Sequence, residues 1–335
     1  MKKRWCKQIS VQIIGTGHGL PQRVLNNKVL EAMVDTTHEW IVERTGILER
    51  RIADPHTATS DLAVEAAEMA LKRAEIDAGQ LDLIIVATIT PDMLTPSTAC
   101  LVQKRLGAFK AAAFDISAGC TGFIYALTIG QQYLNNSPYG YALIIGADAL
   151  SKVVDYTDRN TCVLFGDGAG AAVLAKGKKD GIIHSYLGAD GTGSEFLYIP
   201  AGGSALPSSN DTVNNRLHFL KMNGNEIFRF ATRITYEISD KIMFESGLSY
   251  SDIDLFIPHQ SNLRIIKTAL KRMSIPMEKA LINLERFGNM SAACIPVALS
   301  MAEKEGRIQP GNLVLMVSFG AGLTFGGSLV RWGRD

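Results

Sequence analysis

Apolar and polar residues alternate along this chain in two different rhythms. Short apolar runs predict β-strands at 11–15, 83–87, 141–145, 169–175, 255–257 and 313–317. Elsewhere, apolar residues recur every three or four positions, which predicts amphipathic helices at 62–74, 123–134, 226–245 and 263–272. Strands that alternate with helices in this way are typical of layered α/β proteins.

The same order of motifs occurs twice along the chain. The matched pairs are LDLII (81–85) with IDLFI (253–257), SAGC (117–120) with SAAC (291–294), and FGDG (165–168) with FGAG (319–322). Three matches in one order predict two structurally similar halves, 1–179 and 180–335. A duplicated unit of this kind would have its active site between the halves. The turn-rich segment 201–215 is interpreted as an exposed insertion.

Length and composition predict a globular protein with a sizeable core. The chain has 335 residues, of which 47% are hydrophobic and 20% charged. The formal net charge of +1 gives no general attraction to nucleic acid or membranes, so charge recognition must come from a local patch. No stretch approaches the roughly 18 apolar residues of a spanning helix. The basic segment 1–7 precedes a run too short and polar for a secretory signal.

The cysteines are widely spaced and form no CxxC pair. They are Cys6, Cys100, Cys120, Cys162 and Cys294. An odd number at such spacings is unlike a disulfide framework or a zinc site. We therefore expect free thiols in a reducing cytoplasm and no bound metal, and we ask whether one thiol is a nucleophile.

Cys120 lies on a turn of small residues directly before a helical run. A thiol at a helix N-terminus is close to the positive end of the helix dipole, which favours the nucleophilic thiolate. The alternative is a small buried residue in a tight helix–strand contact. Cys294 holds the equivalent place in the second half, but Pro296 follows it and no catalytic partner is evident, so we interpret Cys294 as core.

Two polar residues of the second half are candidate partners. His259 follows the strand 255–257, at the kind of strand end where α/β proteins bind ligands. Asn289 lies in a Gly-Asn turn before a helix. Each has a structural alternative, since a lone histidine is often structural and such an asparagine often caps a helix.

Two glycine-rich segments do not fit nucleotide-binding loops. Pro21 follows segment 15–19 where a helix would be required, and segment 166–171 lacks a phosphate-loop lysine. We interpret the second segment as a site of close backbone packing.

Together the motifs closely resemble the β-ketoacyl-acyl carrier protein synthase III family, the initiating condensing enzymes of type II fatty acid synthesis. The resemblance covers nearly the whole chain. Its most specific pieces are DTTHEWIVERTGI (35–47), DISAGCTGF (115–123), FGDGAGAAV (165–173), PHQSNLRI (258–265), GNMSAA (288–293) and FGAGLT (319–324). It implies the five-layered thiolase fold (αβαβα) and a homodimer.

The resemblance also implies a reaction: an acyl-CoA primer condenses with malonyl-acyl carrier protein to give a 3-oxoacyl-acyl carrier protein, CoA and CO2. Cys120 would attack the acyl-CoA thioester, and His259 and Asn289 would donate hydrogen bonds to the developing enolate. The backbone N–H groups of Cys120 and Ala321 would form the oxyanion hole, with alanine where the family usually has glycine. CoA thioesters are substrates here, and no metal or redox cofactor is expected.

Ten residues would bind CoA and its pantetheine arm by their position in the resemblance. Trp40 and Arg44, four residues apart on a short helix, resemble the pair that sandwiches the adenine. The other eight are Thr36, Arg159, Leu164, Met222, Gly224, Phe228, Ser261 and Asn262. Asn160 replaces a glycine often found beside this site.

A basic stripe on helix 263–272 resembles the family's docking site for the acidic carrier protein. The predicted docking residues are Arg229, Gln260, Arg264, Lys267, Lys271 and Arg272. Without the resemblance, a solvated helix face is the usual meaning of such a stripe.

Thr95 lies where many family members have a phenylalanine that crosses the dimer interface and closes the acyl pocket. Because threonine is smaller, we expect a deeper pocket that accepts longer or branched primers. The alternative is that Leu94, Met93 or other neighbours fill the space.

Other functions fit parts of the pattern. A related thiolase-superfamily acyltransferase would use a different acceptor in secondary metabolism. A Cys-His-Asn thiol hydrolase would need a CGSCW-like segment near the N-terminus, which this chain lacks. A non-catalytic acyl-binding protein would not need all three candidate residues.

Overall fold

The computed structural model describes residues 10–178 and 181–334. The basic segment 1–7, Cys6 and the predicted boundary between residues 179 and 180 lie outside the described residues. The strands are β1 (Ser10–Gly19), β2 (Val24–Asn26), β3 (Glu49–Arg51), β4 (Leu83–Ala87), β5 (Ala112–Ile116), β6 (Tyr141–Ala149), β7 (Asp167–Gly177), β8 (Gly181–Ala189), β9 (Leu197–Tyr198), β10 (Lys221–Met222), β11 (Leu255–Pro258), β12 (Leu313–Gly320) and β13 (Thr324–Arg331). The α-helices are α1 (Asn27–Glu31), α2 (His38–Thr45), α3 (Thr59–Ala74), α4 (Thr98–Leu106), α5 (Gly122–Asn135), α6 (Arg159–Cys162), α7 (Asn210–Asn214), α8 (Gly224–Ser246), α9 (Leu263–Met273), α10 (Leu284–Phe287) and α11 (Cys294–Lys304).

Two large sheets share one topology. The first has the order β1-β7-β6-β4-β5, and the second has the order β8-β13-β12-β11. In both, the second strand is antiparallel to the first and the third, and the fourth is parallel to the third. The second sheet therefore repeats the first without a counterpart of β5. This shared order confirms the repeat predicted from the sequence motifs.

The helices form three layers around these sheets. Helices α5 and α11 pack between the sheets, and a core cluster joins Phe123 and Ile295 of these helices to strand residues such as Ile144 and Met316. Helices α3 and α4 cover the outer face of the first sheet, and α8 and α9 cover that of the second. The predicted αβαβα layering is thus confirmed.

Glycines in two segments allow helices to approach strands closely. An added Cβ at Gly17 of β1 would lie 2.1 Å from the Ala66 carbonyl oxygen of α3. At Gly170 of β7 it would lie 2.5 Å from the Val297 nitrogen of α11. Any side chain there would push the helix away from the sheet. These segments are packing surfaces, as interpreted for 166–171.

Capping residues mark the start and the end of the long helix α8. Asn223 accepts a hydrogen bond from the Glu226 N–H at the start of α8, and Gly247 ends that helix at φ 70°. The segment 201–215 is mostly exposed, as predicted, and contains α7. Within residues 10–178 and 181–334, no helix is long and apolar enough to cross a membrane.

Candidate active site

Cys120 lies on a 3-10 turn, residues 119–121, that leads from β5 into α5. Gly119 adopts φ 52°, a left-handed conformation that glycine tolerates at little cost. A Cβ on Gly320 would lie 2.4 Å from the Cys120 nitrogen, so the end of β12 presses against this turn. The Ser318 hydroxyl donates a hydrogen bond to the Cys120 carbonyl oxygen at 2.8 Å. The second half of the chain therefore fixes the backbone of the candidate nucleophile.

Burial of the Cys120 thiol works against its ionisation. Burial raises the pKa of Cys120 to about 12, while the side chains of Ser291 and Asn289 oppose the rise and the Asp148 carboxylate adds to it. The residue is 8% exposed. Burial therefore opposes the thiolate that the helix N-terminus is expected to favour.

His259 follows β11 and is almost fully buried. Its backbone N–H donates to the Val317 carbonyl oxygen at 2.8 Å, and its ring packs edge-on against Phe319 at 5.2 Å between centroids. Burial lowers the pKa of His259 to about 3, so the ring is neutral. Nδ1 is buried and has no hydrogen-bond partner among the described residues. Because a bare lone pair costs less than an unpaired buried N–H, we infer that the proton is on Nε2.

Asn289 is held by backbone contacts on both sides. Its N–H donates to the Leu164 carbonyl oxygen at 2.8 Å, and its carbonyl oxygen accepts from the Gly166 N–H at 3.0 Å. Its side-chain Oδ1 accepts from the Ser291 N–H at 2.8 Å. With Oδ1 occupied in this way, the amide NH2 group is directed to Cys120, where it helps to lower the thiol pKa.

Two cavities meet at Cys120. The first, of about 150 Å³, is a tunnel lined by Cys120, His259 and Asn289. The second, of about 170 Å³, lies beyond Cys120 and has mainly apolar walls. Its lining residues include Ile89, Leu150, Phe165, Leu197, Ile199 and Leu220. Cys120 therefore borders both spaces, and three residues remote in sequence share one tunnel.

The chain is similar in sequence to proteins of one family over most of its length. A profile for 3-oxoacyl-[acyl-carrier-protein (ACP)] synthase III matches residues 114–191, and its C-terminal counterpart matches residues 243–332. β-Ketoacyl-[acyl-carrier-protein] synthase III of Syntrophomonas wolfei subsp. wolfei is 67% identical over 98% of this chain and 99% of its own. The enzyme of that name from Caldanaerobacter subterraneus subsp. tengcongensis is 53% identical over 98% of this chain and 100% of its own.

A solved structure gives the same result. The crystal structure of 3-oxoacyl-[acyl-carrier-protein] synthase III from Aquifex aeolicus is 44% identical, with a TM-score of 0.89 over 96% of this chain and all of that chain. The chain belongs to the β-ketoacyl-[acyl-carrier-protein] synthase III family. It is a condensing acyltransferase with the thiolase fold, as the motifs predicted.

Most residues predicted to bind CoA lie along the tunnel of this synthase III chain. Six of the ten line it: Leu164, Met222, Gly224, Phe228, Ser261 and Asn262. Trp40 and Arg159 lie at an outer depression that shares Leu164, Met222 and Gly224 with the tunnel. The Arg159 and Arg44 guanidinium carbons are 5.0 Å and 5.7 Å from the Trp40 ring centroid. Thr36 lines neither space, although its buried hydroxyl has no described partner.

The two residues predicted to form the oxyanion hole lie on two touching turns. A Cβ on Gly119 would lie 2.8 Å from the Ala321 nitrogen, so the amides of Cys120 and Ala321 are on facing segments. Ala321 is not among the residues with positive φ, so alanine fits its backbone conformation without strain. Both residues line the apolar cavity.

Five of the six residues predicted to dock the carrier protein are exposed, four of them on α9 and one on α8. Arg264, Lys267, Lys271 and Arg272 are exposed, and Arg229 is exposed on α8 and pairs with Glu226 at 2.9 Å. Gln260 is fully buried and bonds internally to Pro258, Leu281 and Asn283. The placement of Gln260 on the docking surface is therefore wrong, because its amide holds the end of β11 from inside.

Thr95 does not line the apolar cavity of its own chain. It lies on an exposed loop beside Leu94, which is 88% exposed, and Met93, and neither neighbour lines the cavity either. Within one chain, therefore, none of these side chains fills the predicted pocket.

Sequence reasoning missed two polar residues behind the site. Asp148 is fully buried and accepts hydrogen bonds from Thr88, Ile89 and Thr90 in the first half and from the Ala292 N–H in the second. Ser291 adopts φ 49° and its buried hydroxyl lies beside Cys120. Nothing in the local pattern distinguishes Asp148 from an ordinary strand-end carboxylate.

No group of three metal-ligating side chains occurs in the described part of the chain.

Proposed function

We propose that this chain joins an acyl-CoA primer to malonyl-acyl carrier protein, releasing CoA and CO2, as the first condensation of fatty acid synthesis. The position of Cys120 between the tunnel and the apolar cavity is the observation that supports this best. A thiol in that position can place an acyl chain in the cavity and leave the tunnel free for a second substrate. Two substrates can therefore use one nucleophile in succession.

In the first half-reaction the Cys120 sulfur attacks the thioester carbonyl of acyl-CoA. The new S–C bond forms as the bond to the CoA sulfur breaks, and CoA leaves as a thiol with the proton from Cys120. The carbonyl oxygen is negatively charged in between. Backbone N–H groups of Cys120 and Ala321 would stabilise that charge, and preorganised donors of this kind are the usual solution for acyl transfer.

In the second half-reaction a malonyl thioester enters the same tunnel. Its carboxylate leaves as CO2, and the carbon that gains the electron pair attacks the acyl group on Cys120. The new C–C bond forms as the bond between the acyl carbon and the Cys120 sulfur breaks, so the 3-oxoacyl thioester leaves on the carrier protein and the sulfur takes up a proton from solvent. The intermediate is an enolate with its charge on the thioester oxygen. His259 Nε2–H and the Asn289 NH2 group would donate to that oxygen. A neutral His259, with its pKa lowered to about 3, donates without bringing a charge into the site.

The surface around the tunnel mouth suits the groups that carry the two thioesters, the CoA nucleotide and the acyl carrier protein. The Trp40 ring with its flanking arginines suits a planar base beside phosphates, since guanidinium groups both stack and pair with phosphate. The exposed stripe Arg264, Lys267 and Lys271 lies on the helix that starts four residues after His259. A basic stripe there would hold an acidic carrier protein whose arm reaches Cys120.

We also propose that two copies of the chain pair along β5 in the cytoplasm. Strand β5 is the last strand of the first sheet, so one side of its backbone has no strand partner within the described residues. Phe114 on β5, Phe109 beside it and Leu94 are exposed apolar side chains. An exposed apolar edge favours pairing with another strand, and a twofold axis would let the β5 strands of two copies pair with each other.

The cysteines support the proposed cytoplasmic location. The free Cys100, Cys120, Cys162 and Cys294 fit a reducing compartment.

The apolar cavity supports a primer longer than acetyl. Its volume of about 170 Å³ is close to that of an engineered apolar cavity of about 150 Å³ that binds benzene. An acyl chain of about six carbons would therefore fit. Thr95 of a second copy, being small, would leave this space open where a phenylalanine would shorten it.

One experiment tests the reaction. The protein is incubated with an acyl-CoA, its mass is measured to locate the acyl group, and malonyl-acyl carrier protein is then added while CO2 is collected. We expect one acyl group on Cys120 and CO2 release that requires the carrier-bound malonyl group. Hydrolysis of acyl-CoA to free acid, or acyl transfer without CO2 release, would contradict the proposal.

A further inference from the structure

Cys294 contacts the residue that the proposed mechanism uses as a donor. It is the first residue of α11 and is 0% exposed. Its Sγ lies 3.6 Å from Asn289 Oδ1, within the range of a thiol hydrogen bond. The same sulfur accepts the Met290 N–H at 3.1 Å. The thiol therefore bridges the backbone and the side chain of the turn that presents Asn289.

These contacts favour one orientation of the Asn289 carboxamide. Its Oδ1 faces two donors, the Ser291 N–H at 2.8 Å and the Cys294 thiol. A flipped carboxamide would place its NH2 group against the Ser291 N–H, and a buried donor without an acceptor is costly. Because Oδ1 is held on this side, the NH2 group faces Cys120 and the tunnel.

We infer that Cys294 is a positioning residue, whose thiol keeps the Asn289 amide directed at the thioester oxygen of the malonyl substrate. The inference rests on the proposed function, in which Asn289 donates to the enolate. A thiol is both a weak donor and a weak acceptor, and both capacities are used here. Since Asn289 acts on the enolate, loss of the Cys294 contact should slow decarboxylation and leave acylation of Cys120 nearly unchanged.

The test compares Cys294→Ala with Cys294→Ser, and Cys100→Ala is the matched control at a cysteine outside the site. Acylation of Cys120 is followed by mass, and decarboxylation by CO2 release from malonyl-acyl carrier protein. We expect Cys294→Ala to release CO2 about tenfold more slowly than wild type, the effect of one net hydrogen bond, and to acylate within about twofold. Cys294→Ser should keep most of the CO2 release because a hydroxyl also donates and accepts.

If the wild-type protein is active, either of two results would overturn the inference. One is an equal loss of acylation and CO2 release in Cys294→Ala, and the other is a serine variant as slow as the alanine variant. If Cys294→Ala does not fold, Cys294→Val supplies an apolar side chain without hydrogen-bonding capacity for the same comparison. A wild-type chain that acylates no cysteine or releases no CO2 would instead contradict the proposed function.

Discussion

The turns that lead into the two central helices are alike, but they hold Cys120 and Cys294 at different positions. Each combines a 3-10 turn with one of the two central helices. Cys120 borders two cavities, whereas Cys294 is sealed and its sulfur contacts Met290 and Asn289. The equivalence of the two cysteines expected from the sequence motifs is therefore wrong: Cys120 lies within its 3-10 turn, and Cys294 follows the corresponding turn as Gly122 does in the first half. Adjoining empty space, rather than the helix N-terminus, distinguishes the candidate nucleophile from the supporting residue.

The two turns have the same backbone conformation, and each begins with a left-handed residue. Gly119 has φ 52° in the first turn, and Ser291 has φ 49° in the second. Cys120 is the next residue after Gly119, whereas Cys294 comes later after Ser291, as the first residue of α11. The similar sequence motifs are therefore out of register in the structure, and Cys294 is packed where Cys120 is beside the cavities. This difference predicts different chemistry for the two thiols.

The largest effect is expected from Cys120→Ala, which removes the proposed nucleophile. Acyl transfer from acyl-CoA to the protein should be abolished, as measured by intact mass. Thermal unfolding should change little, because a methyl group replaces a thiol at a cavity wall. Acyl label on Cys294 in this variant, or unchanged turnover, would break the contrast between the two turns.

Variants His259→Ala and Asn289→Ala test whether the second half supplies the enolate donors. Removal of one preorganised donor typically lowers a rate by about 100- to 1000-fold. We expect CO2 release from malonyl-acyl carrier protein to fall by that factor, while acylation of Cys120 continues in part. Poor acylation with normal CO2 release would reverse the division of roles between the halves.

The pH dependence of alkylation compares the two thiols directly. Burial raises the pKa of Cys120 to about 12 from 9.0 and raises the pKa of Cys294 even further. Only the thiolate reacts, so the alkylation rate of Cys120 should rise about a hundredfold from pH 7 to pH 9 without a plateau. Peptide mapping after iodoacetamide treatment measures both sites. A plateau below pH 8 at Cys120 would show a stabilised thiolate, and faster reaction at Cys294 would remove the distinction.

The charge reversal Arg264→Glu with Lys271→Glu tests whether the second half docks the carrier protein. Exposed charge pairs contribute little individually, so we expect KM for malonyl-acyl carrier protein to rise about tenfold and KM for acyl-CoA to change little. High salt should reduce the difference by screening. The matched control is Lys72→Glu with Lys104→Glu, two exposed lysines of the first half. Equal increases for both substrates would argue against a docking surface.

The effect that is smallest for each group changed concerns the cavity beside Cys120. Each methylene buried there contributes about 0.8 kcal/mol, or about fourfold in preference. In competition assays we expect wild type to favour medium-chain or branched acyl-CoA over acetyl-CoA, and Thr95→Phe to shift the preference to acetyl-CoA. A strong wild-type preference for acetyl-CoA that the substitution does not alter would contradict the open pocket.

The sequence predicted the buried elements better than the edges. Strands such as β4 are uniformly apolar and easily found, whereas β5 is a partly exposed edge strand and was not predicted. Helix α11 was expected after the Gly-Asn turn of Asn289 but without bounds, because Pro296 lies in its first turn and small residues surround it. Cys120 was found through its motif, but the rise in its pKa was not, because burial arises from segments far apart in the chain. For the same reason, Gln260 was wrongly placed on the surface.

Cys120 lies in the wall between the tunnel and the apolar cavity. This position fixes the order in which the two thioester substrates react. Both thioesters must reach the same sulfur, and Cys120 can hold one acyl group at a time. The CoA must therefore leave before the malonyl thioester can react, while the acyl group lies in the cavity beyond the sulfur. Such a geometry gives ping-pong kinetics, in which double-reciprocal plots for the two thioesters run parallel. Excess CoA would then compete with the malonyl substrate for the vacated passage.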